Sequence, residues 1–307
     1  MDDSSRQKRS KGGRNTSSSK PQQGGQKKRS APSFSKTNPW QTAKVPAMGR
    51  STDRPTGPKR PPERTPEQPR IRKRKAAQSP SRTSTPDWLL EKAPTPGLTG
   101  AAVEEIVHAL EITANSDQLG SMLDHLLLIK EYNREINLVS RMRIEAVLLQ
   151  SLWESLVPST DLSWKTGTQI LDLGTGGGFP GIPMAIMLPD STFTLIDSRR
   201  AKVLALKNIV EELKLSNIEI VHDRAEIYAE HVGRAFDTVA VKAVGMLKEV
   251  APWSEGLLRE GGKMLAWKGP EGIKEYSELQ PGKWAFEHSI PVLPHRTVMV
   301  LGFRSNL

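Results

Sequence analysis

The chain of 307 residues is long enough for one large domain or two small ones with a buried core. It contains no cysteine, which excludes disulfide bonds and thiolate-bound metals, and its 6 histidines are scattered without the spacing of a metal motif. The formal net charge of +10 is unevenly divided: residues 1–86 carry 22 Lys and Arg against 5 Asp and Glu, whereas residues 87–307 carry 22 against 29. The basic character therefore belongs to the N-terminal segment.

Long apolar segments are missing from the sequence. None approaches the ~20 residues of a membrane-spanning helix, and the N-terminus has no apolar signal core. We therefore expect a protein without membrane association that is located in the cytoplasm.

Residues 1–86 consist mainly of Ser, Gly, Gln, Pro, Lys and Arg. Such a composition cannot bury enough apolar surface to offset chain entropy, so we predict a disordered basic tail. Its densest charge cluster contains Arg72, Lys73, Arg74 and Lys75. A cationic segment binds polyanions by releasing counterions, which favours salt-sensitive attraction to RNA or DNA. An inert solvated leader and a nuclear-import patch are the alternatives.

Apolar residues recur at helical spacing after residue 98, the pattern of helices that bury one face. The spacing predicts helices over about 99–113, 117–132 and 143–156, the first of them capped by Thr99. With the short loops between them, these helices should form a small helical cap over residues 87–165.

A glycine-rich loop follows the apolar run at residues 169–173. The run predicts a buried strand that ends in a tight turn, and Pro183 with the apolar residues after it predicts a helix entered through that turn. A strand, a glycine loop and a helix together form a cradle in which a ligand can lie against bare backbone N–H groups.

Two acids flank this loop and help to identify its ligand. Residues 176–181 match G-x-G-x-x-G, so a dinucleotide fold must be considered. However, Asp172 at the end of the strand suits a ligand with ammonium and sulfonium groups and would repel a pyrophosphate. Asp197 ends the next apolar run, where such folds place a carboxylate that accepts hydrogen bonds from ribose. Together the two acids favour S-adenosyl-L-methionine over NAD, with Phe179 as a wall of the pocket.

Strand and helix signals alternate from residue 168 to residue 270, the pattern of a doubly wound parallel sheet. Strands are predicted at 169–173, 192–196, 217–221, 236–241 and 262–267. The last two apolar runs, 284–292 and 296–303, have no helix between them and should form an antiparallel pair. We therefore predict an α/β fold with a Rossmann-like class I S-adenosylmethionine-dependent methyltransferase sheet over residues 166–307.

A family resemblance begins at residue 132. Tyr132, Asn133, Asn137, Leu138 and Ser140 resemble the W-N-x-x-x-N-L-T/V-S stretch of the RsmG (GidB) family, bacterial methyltransferases that act on guanine N7 in small-subunit ribosomal RNA. The similarity continues in the stretches 171–183, 195–198, 223–226, 241–244 and 266–269. It covers roughly residues 100–307 and leaves out the basic tail.

The resemblance implies methyl transfer from S-adenosyl-L-methionine to guanine N7 in 16S ribosomal RNA. The implied partner is small-subunit ribosomal RNA or a pre-ribosomal particle, and we expect a monomer without a metal. Guanine N7 has an in-plane lone pair and no proton, so catalysis needs positioning and no general base. The absence of cysteine also excludes cysteine-dependent carbon-5 methylation of pyrimidines.

The candidate site residues lie mostly where strands end, because ligands of such sheets bind beyond the carboxyl ends of the strands. Ala225 and Glu226 resemble the family's pair that flanks adenine, and Lys242 and Lys268 are the candidates for positioning the substrate. The cofactor candidates are Asp172, Gly174, Thr175, Gly176, Gly178, Phe179, Asp197, Ala225, Glu226 and Lys242. The RNA-binding candidates are Arg134, Asn137, Arg141, Arg199, Lys268, Arg72, Lys73, Arg74 and Lys75. For Arg199 and Lys268 a solvated surface charge is an equal alternative.

Two departures from the family pattern leave other functions open. Lys242 stands where the family usually has arginine, and lysine cannot form a bidentate fork. Residues 150–155 replace a helical His-x-x-Asp-Ser motif. A non-catalytic RNA-binding or ribosome-assembly module with a degenerate core is therefore one alternative. A methyltransferase for another acceptor is a second, because the motifs mostly report the cofactor.

Overall fold

The computed structural model describes residues 85–305. The predicted basic tail, apart from its last two residues, lies outside the described residues, and so do Arg72, Lys73, Arg74 and Lys75. Within the described range, no helix combines the length and apolar character needed to cross a membrane.

The N-terminal part of the described chain is helical, as the sequence predicted. Its helices are α1 (Gly100–Ala109), α2 (Ser116–Tyr132), α3 (Ile144–Leu156) and the single turn α4 (Pro158–Asp161). The hydroxyl of Thr99 accepts a hydrogen bond from the Ala102 N–H at 3.2 Å, which confirms the predicted cap of α1. The first helix ends four residues earlier than predicted, shortly before Glu111 takes a left-handed φ of 55°.

The rest of the chain alternates between strands and helices. The strands are β1 (Gln169–Leu173), β2 (Thr192–Asp197), β3 (Ile218–His222), β4 (Phe236–Lys242), β5 (Leu258–Lys268), β6 (Trp284–Leu293) and β7 (Arg296–Phe303). The helices are α5 (Gly181–Met187), α6 (Arg200–Glu212), α7 (Ala225–Val232), α8 (Leu247–Leu257) and α9 (Gly272–Ser277).

These strands form one seven-stranded sheet in the order β3-β2-β1-β4-β5-β7-β6. Strands β1 to β5 are parallel, whereas β7 runs antiparallel to β5 and β6 antiparallel to β7. The predicted doubly wound α/β sheet, with an antiparallel pair at the end of the chain, is therefore confirmed.

Alternate residues of the central strands face opposite sides of the sheet. Ile170 packs with buried residues of α2, α3 and α6, whereas Leu171 packs in a second cluster with Val250 and Leu257 of α8. The N-terminal helices thus share a hydrophobic core with one face of the sheet. The boundary between residues 87–165 and 166–307 stays a prediction.

Two tryptophans fix α3 beside the sheet. The indole N–H of Trp267 in β5 donates to the backbone carbonyl of Glu154 at 2.9 Å. The indole N–H of Trp153 donates to the carbonyl of Val292 in β6, also at 2.9 Å. Both hydrogen bonds are buried, so they hold the second half of α3 against β5 and β6.

Candidate active site

The glycine loop between β1 and α5 has the geometry that its sequence demands. Gly174, Gly176 and Gly178 have φ angles of 72°, 60° and 81°, a left-handed conformation that side chains with a Cβ rarely adopt. The N–H groups of Gly174 and Thr175 donate to the carbonyl of Ile196 at 2.9 and 3.0 Å. The loop is thereby attached to β2.

Asp172 holds the loop from behind. Its side chain is buried, and its Oδ2 atom accepts hydrogen bonds from the Thr175 hydroxyl at 2.7 Å and from the Gly181 N–H at 2.8 Å. Burial raises the pKa of this carboxyl group from 3.8 to about 6, against the lowering effect of those two hydrogen bonds. Through these contacts Asp172 orients the glycine loop.

Asp197 ties the loop to α6. Its Oδ2 atom accepts a hydrogen bond from the Gly176 N–H at 3.1 Å, and its Oδ1 atom accepts one from the Arg199 N–H at 2.8 Å. The two predicted acids are therefore both anchors of the same glycine loop.

The loop opens on a cavity of about 450 Å³ that also meets α3, β4 and β7. Its apolar walls include Leu138, Val139 and Phe179. The buried amide of Asn133 positions the first two, because its Oδ1 atom accepts from the N–H groups of Leu138 at 2.7 Å and Val139 at 3.0 Å.

Charged side chains line the other side of the cavity. Lys242 at the end of β4 and Arg296 at the start of β7 both form ion pairs with Glu154 of α3. Lys202 of α6 also lines the cavity, and burial lowers the pKa of its ammonium group. The wall thus carries three cations and one carboxylate, which suits an anionic ligand group.

The GidB family model, described as rRNA small subunit methyltransferase G, matches residues 118–293, which include the glycine loop, Glu154 and Lys242. The chain belongs to this family. It is therefore an enzyme, a methyltransferase that uses S-adenosyl-L-methionine, and the predicted RsmG membership is confirmed.

Relatives named Ribosomal RNA small subunit methyltransferase G support the assignment. The one from Chlorobium chlorochromatii is 33% identical over 176 residues, which cover 57% of this chain and 74% of the relative. The one from Legionella pneumophila (strain Corby) is 38% identical over 167 residues, which cover 54% of this chain and 76% of the relative. The solved structure of fibrillarin from Aeropyrum pernix with S-adenosyl-L-methionine is similar over 50% of this chain and 76% of its own, with 16% sequence identity and a TM-score of 0.41.

The structure brings most of the predicted cofactor residues of this RsmG family member together and leaves others apart. Gly174, Thr175, Gly176, Phe179 and Lys242 line the cavity, with Asp172 and Asp197 directly behind the loop, whereas Gly178 is buried outside the cavity lining. Ala225 and Glu226 begin α7 outside the cavity lining, and Glu226 forms an ion pair with Arg224. Their predicted contact with adenine stays a prediction.

The structure also places the predicted substrate-positioning and RNA-binding residues in different surroundings. Lys268 is buried, and its Nζ atom donates to the Gly245 carbonyl and to Glu275, each at 2.7 Å, so the structure does not bring it to the cavity. Arg134, Asn137, Arg141 and Arg199 are all exposed. Arg141 donates to the carbonyl of Arg134 at 3.3 Å, beside the cavity-lining Leu138 and Val139.

Sequence reasoning missed three charged residues of the cavity: Glu154, Arg296 and Lys202. His125, one of the scattered histidines, is a buried side chain that lies under the loop. Its Nε2 atom is 3.2 Å from the Gly177 carbonyl oxygen, and its ring centroid is 4.7 Å from that of Phe179. Burial lowers the pKa of His125 to about 4, so the imidazole is neutral at physiological pH.

Within residues 85–305, no cluster of three or more His, Asp and Glu side chains is arranged to hold a metal ion.

Proposed function

We propose that this enzyme transfers a methyl group from S-adenosyl-L-methionine to N7 of a guanine in small-subunit (16S) ribosomal RNA. The observation that carries the proposal is the glycine loop, anchored by Asp172 and Asp197 and facing a cation-lined cavity, in a member of the rRNA small subunit methyltransferase G family.

The residues present fit the methyl donor. The cavity of about 450 Å³ is in the usual range for small-molecule sites. Glycine backbone forms its floor, so the donor can lie directly against the loop, with Phe179 as a wall. Lys242 offers a positive charge for the methionine carboxylate, and Asp197 stands close to the loop for the ribose hydroxyls.

The donor, once bound, supplies an electrophilic methyl group. Guanine N7 has an in-plane lone pair and carries no proton, so its methylation would need no general base. The protein contributes positioning and exclusion of water by Leu138, Val139 and Phe179.

Exposed basic residues beside the cavity suit the RNA backbone. Arg134 and Arg141 are exposed on either side of Leu138 and Val139 in the chain, and Arg199 is exposed at the start of α6. In the proposal these side chains, with Asn137, contact ribosomal RNA or a pre-ribosomal particle, chiefly at phosphates. A monomeric state and a cytoplasmic location belong to the same proposal.

Analysis of ribosomal RNA tests the function directly. Small-subunit RNA from a strain that lacks this protein is digested and examined by mass spectrometry, next to RNA from the parent strain and from a complemented strain. The expected result is the loss of one 7-methylguanine, restored by complementation. An unchanged modification pattern would overturn the proposal and leave a non-catalytic module or another acceptor.

The Asp197→Ala variant is expected to bind S-adenosyl-L-methionine more weakly by about 1–3 kcal/mol. It loses the carboxylate for ribose and also the hydrogen bond to the Gly176 N–H. Isothermal titration calorimetry measures the dissociation constant. Asp237→Ala is the control, because Asp237 also accepts from a backbone N–H, that of Gln169 at 2.8 Å, at the opposite end of β1. Equal affinity of the two variants would contradict the role of Asp197.

Removal of residues 1–86 is expected to weaken RNA binding and to flatten its dependence on salt. This segment holds 22 of the 44 Lys and Arg of the chain, and each phosphate contact that it makes releases counterions. Filter binding at several salt concentrations measures the slope, and donor affinity serves as the control that should not change. Identical slopes with and without the segment would reject this role.

A further inference from the structure

Glu154 is a buried carboxylate shared by two cations. Its side chain is only 1% exposed, and its Oε2 atom lies 3.2 Å from Lys242 Nζ. Its Oε1 atom forms an ion pair with Arg296 and accepts a hydrogen bond from Gln150 Nε2 at 2.8 Å. Each carboxylate oxygen therefore faces a different cation.

The position of this carboxylate is set by the fold and not by its ion pairs. Trp267 holds the Glu154 backbone against β5, and the neighbouring Trp153 holds it against β6. Lys242 and Arg296, in contrast, reach the carboxylate with long side chains that have many rotamers. Glu154 is thus the fixed point, and the two cations are the groups that it places.

All three charged groups line the cavity that the glycine loop faces. Lys242 Nζ lies 5.7 Å from the centroid of the Phe179 ring, so this ammonium group is close to the loop side of the cavity. The side chain of Arg296 is 45% exposed and lies nearer to solvent. The two cations therefore stand at different depths around one buried carboxylate, and the cluster retains one net positive charge.

Stability alone is a poor explanation for this arrangement. Burial of charged groups costs desolvation energy that their attraction often fails to exceed, so apolar residues commonly give equal or greater stability. A second ion pair with little solvent exposure, between Lys268 of β5 and Glu275 of α9, lies outside the cavity lining. It provides a matched structural reference for Glu154.

We propose that Glu154 is a positioning residue for methyl transfer: it directs Lys242 towards the carboxylate of the methyl donor and Arg296 towards a phosphate of the bound RNA. The assignment of Arg296 to an RNA phosphate rests on the proposed function. The assignment of Lys242 to the donor carboxylate rests only on the use of S-adenosyl-L-methionine by the family.

The Glu154→Gln variant distinguishes the positioning of Lys242 and Arg296 from the binding of RNA. Glutamine has nearly the same shape but no charge, so both cations lose their anchor while the cavity gains one positive charge. The kcat is expected to fall by at least about tenfold, whereas the KM for RNA stays within about twofold or decreases. The dissociation constant of S-adenosylhomocysteine, measured by calorimetry, is expected to rise by about fivefold or more.

Two further variants show that the charge of Glu154 is responsible. Glu275→Gln also neutralises an ion pair with little solvent exposure, and it should leave kcat and S-adenosylhomocysteine affinity unchanged. Glu154→Asp keeps the carboxylate on a side chain shorter by one methylene group and should recover at least about a third of kcat. An Asp variant as slow as the Gln variant would overturn the inference, and so would equal losses in Glu154→Gln and Glu275→Gln.

If Glu154→Gln does not fold, Arg296→Gln replaces it, since Lys242 still balances the buried carboxylate. The expected result is a KM for RNA raised by about fivefold or more, with S-adenosylhomocysteine affinity within about twofold. An unchanged KM would overturn the assignment of Arg296. If the wild-type enzyme does not methylate small-subunit RNA, the proposed function fails by itself. The S-adenosylhomocysteine affinities of the Glu154 and Glu275 variants still decide the role of Glu154.

Discussion

Replacement of Asp172 by asparagine is expected to remove a loss of stability that the wild-type enzyme undergoes between about pH 4 and pH 7. Burial raises the pKa of Asp172 to about 6 from its ordinary value of 3.8. The folded state therefore binds this proton more tightly than the unfolded chain does. Its contribution to stability is fully present below pH 3.8 and is lost as the pH rises through about 6.

The size of the effect follows from the shift in pKa. At 1.36 kcal/mol for each unit, the difference in unfolding free energy between the Asn variant and the wild type should rise by about 2.5 kcal/mol from pH 4 to pH 7.5. The side-chain carbonyl of asparagine can still accept from the Thr175 hydroxyl and the Gly181 N–H. Any penalty from its buried amide group is the same at every pH, so it does not alter the slope.

Urea unfolding at several pH values measures this difference, and calorimetry with S-adenosyl-L-methionine gives a second result. The variant should bind the donor about tenfold more weakly at pH 7.5, because a buried anion behind the loop attracts the cationic donor. Both results together would mean that the ionised Asp172 carboxylate lowers the stability of the wild-type protein but strengthens its binding of the donor. If the unfolding free energies of the two proteins changed in parallel with pH, the assigned cost of ionising Asp172 would be contradicted.

The sequence was most informative where glycines mark the end of an apolar run. The boundaries of β1 were predicted correctly at both ends, because Gly174 turns the chain into a left-handed conformation directly after Leu173. The same signal was misleading in β5, which begins at Leu258 and not at residue 262. There Gly261 and Gly262 lie within a bent strand whose first residue pairs with Phe236, a contact that only tertiary structure reveals.

The missed site residues have physical reasons. The rule that ligands bind at the carboxyl ends of strands draws attention to Lys242, but Arg296 begins its strand. Because β7 is antiparallel to β5, with Thr297 opposite Lys268, its first residue lies at that same edge. Glu154 was seen only as part of a departure from a family motif. Its contact with Lys242 depends on how α3 packs against the sheet, which periodicity cannot show.

The Gly178→Ala variant is expected to lose about 3 kcal/mol of stability and at least about tenfold in donor affinity. Gly178 is buried with a φ of 81°, and an added Cβ would lie 2.5 Å from Ile182 Cδ1 and 3.3 Å from His125 Nε2. Relief of that overlap requires the fully buried Ile182 side chain to shift within its packed surroundings, which we expect to disturb the adjoining glycine loop and donor binding.

Gly167→Ala is the matched control for this prediction. Gly167 has a similar φ of 76°, but an added Cβ there meets nothing within 4 Å. It should therefore show the backbone penalty alone, about 1 kcal/mol, with unchanged donor affinity. Thermal unfolding and calorimetry on both variants separate the two contributions. Equal losses would mean that left-handed backbone explains the glycine at residue 178, whereas a larger loss for Gly178→Ala shows that contact with Ile182 and His125 holds the loop in place.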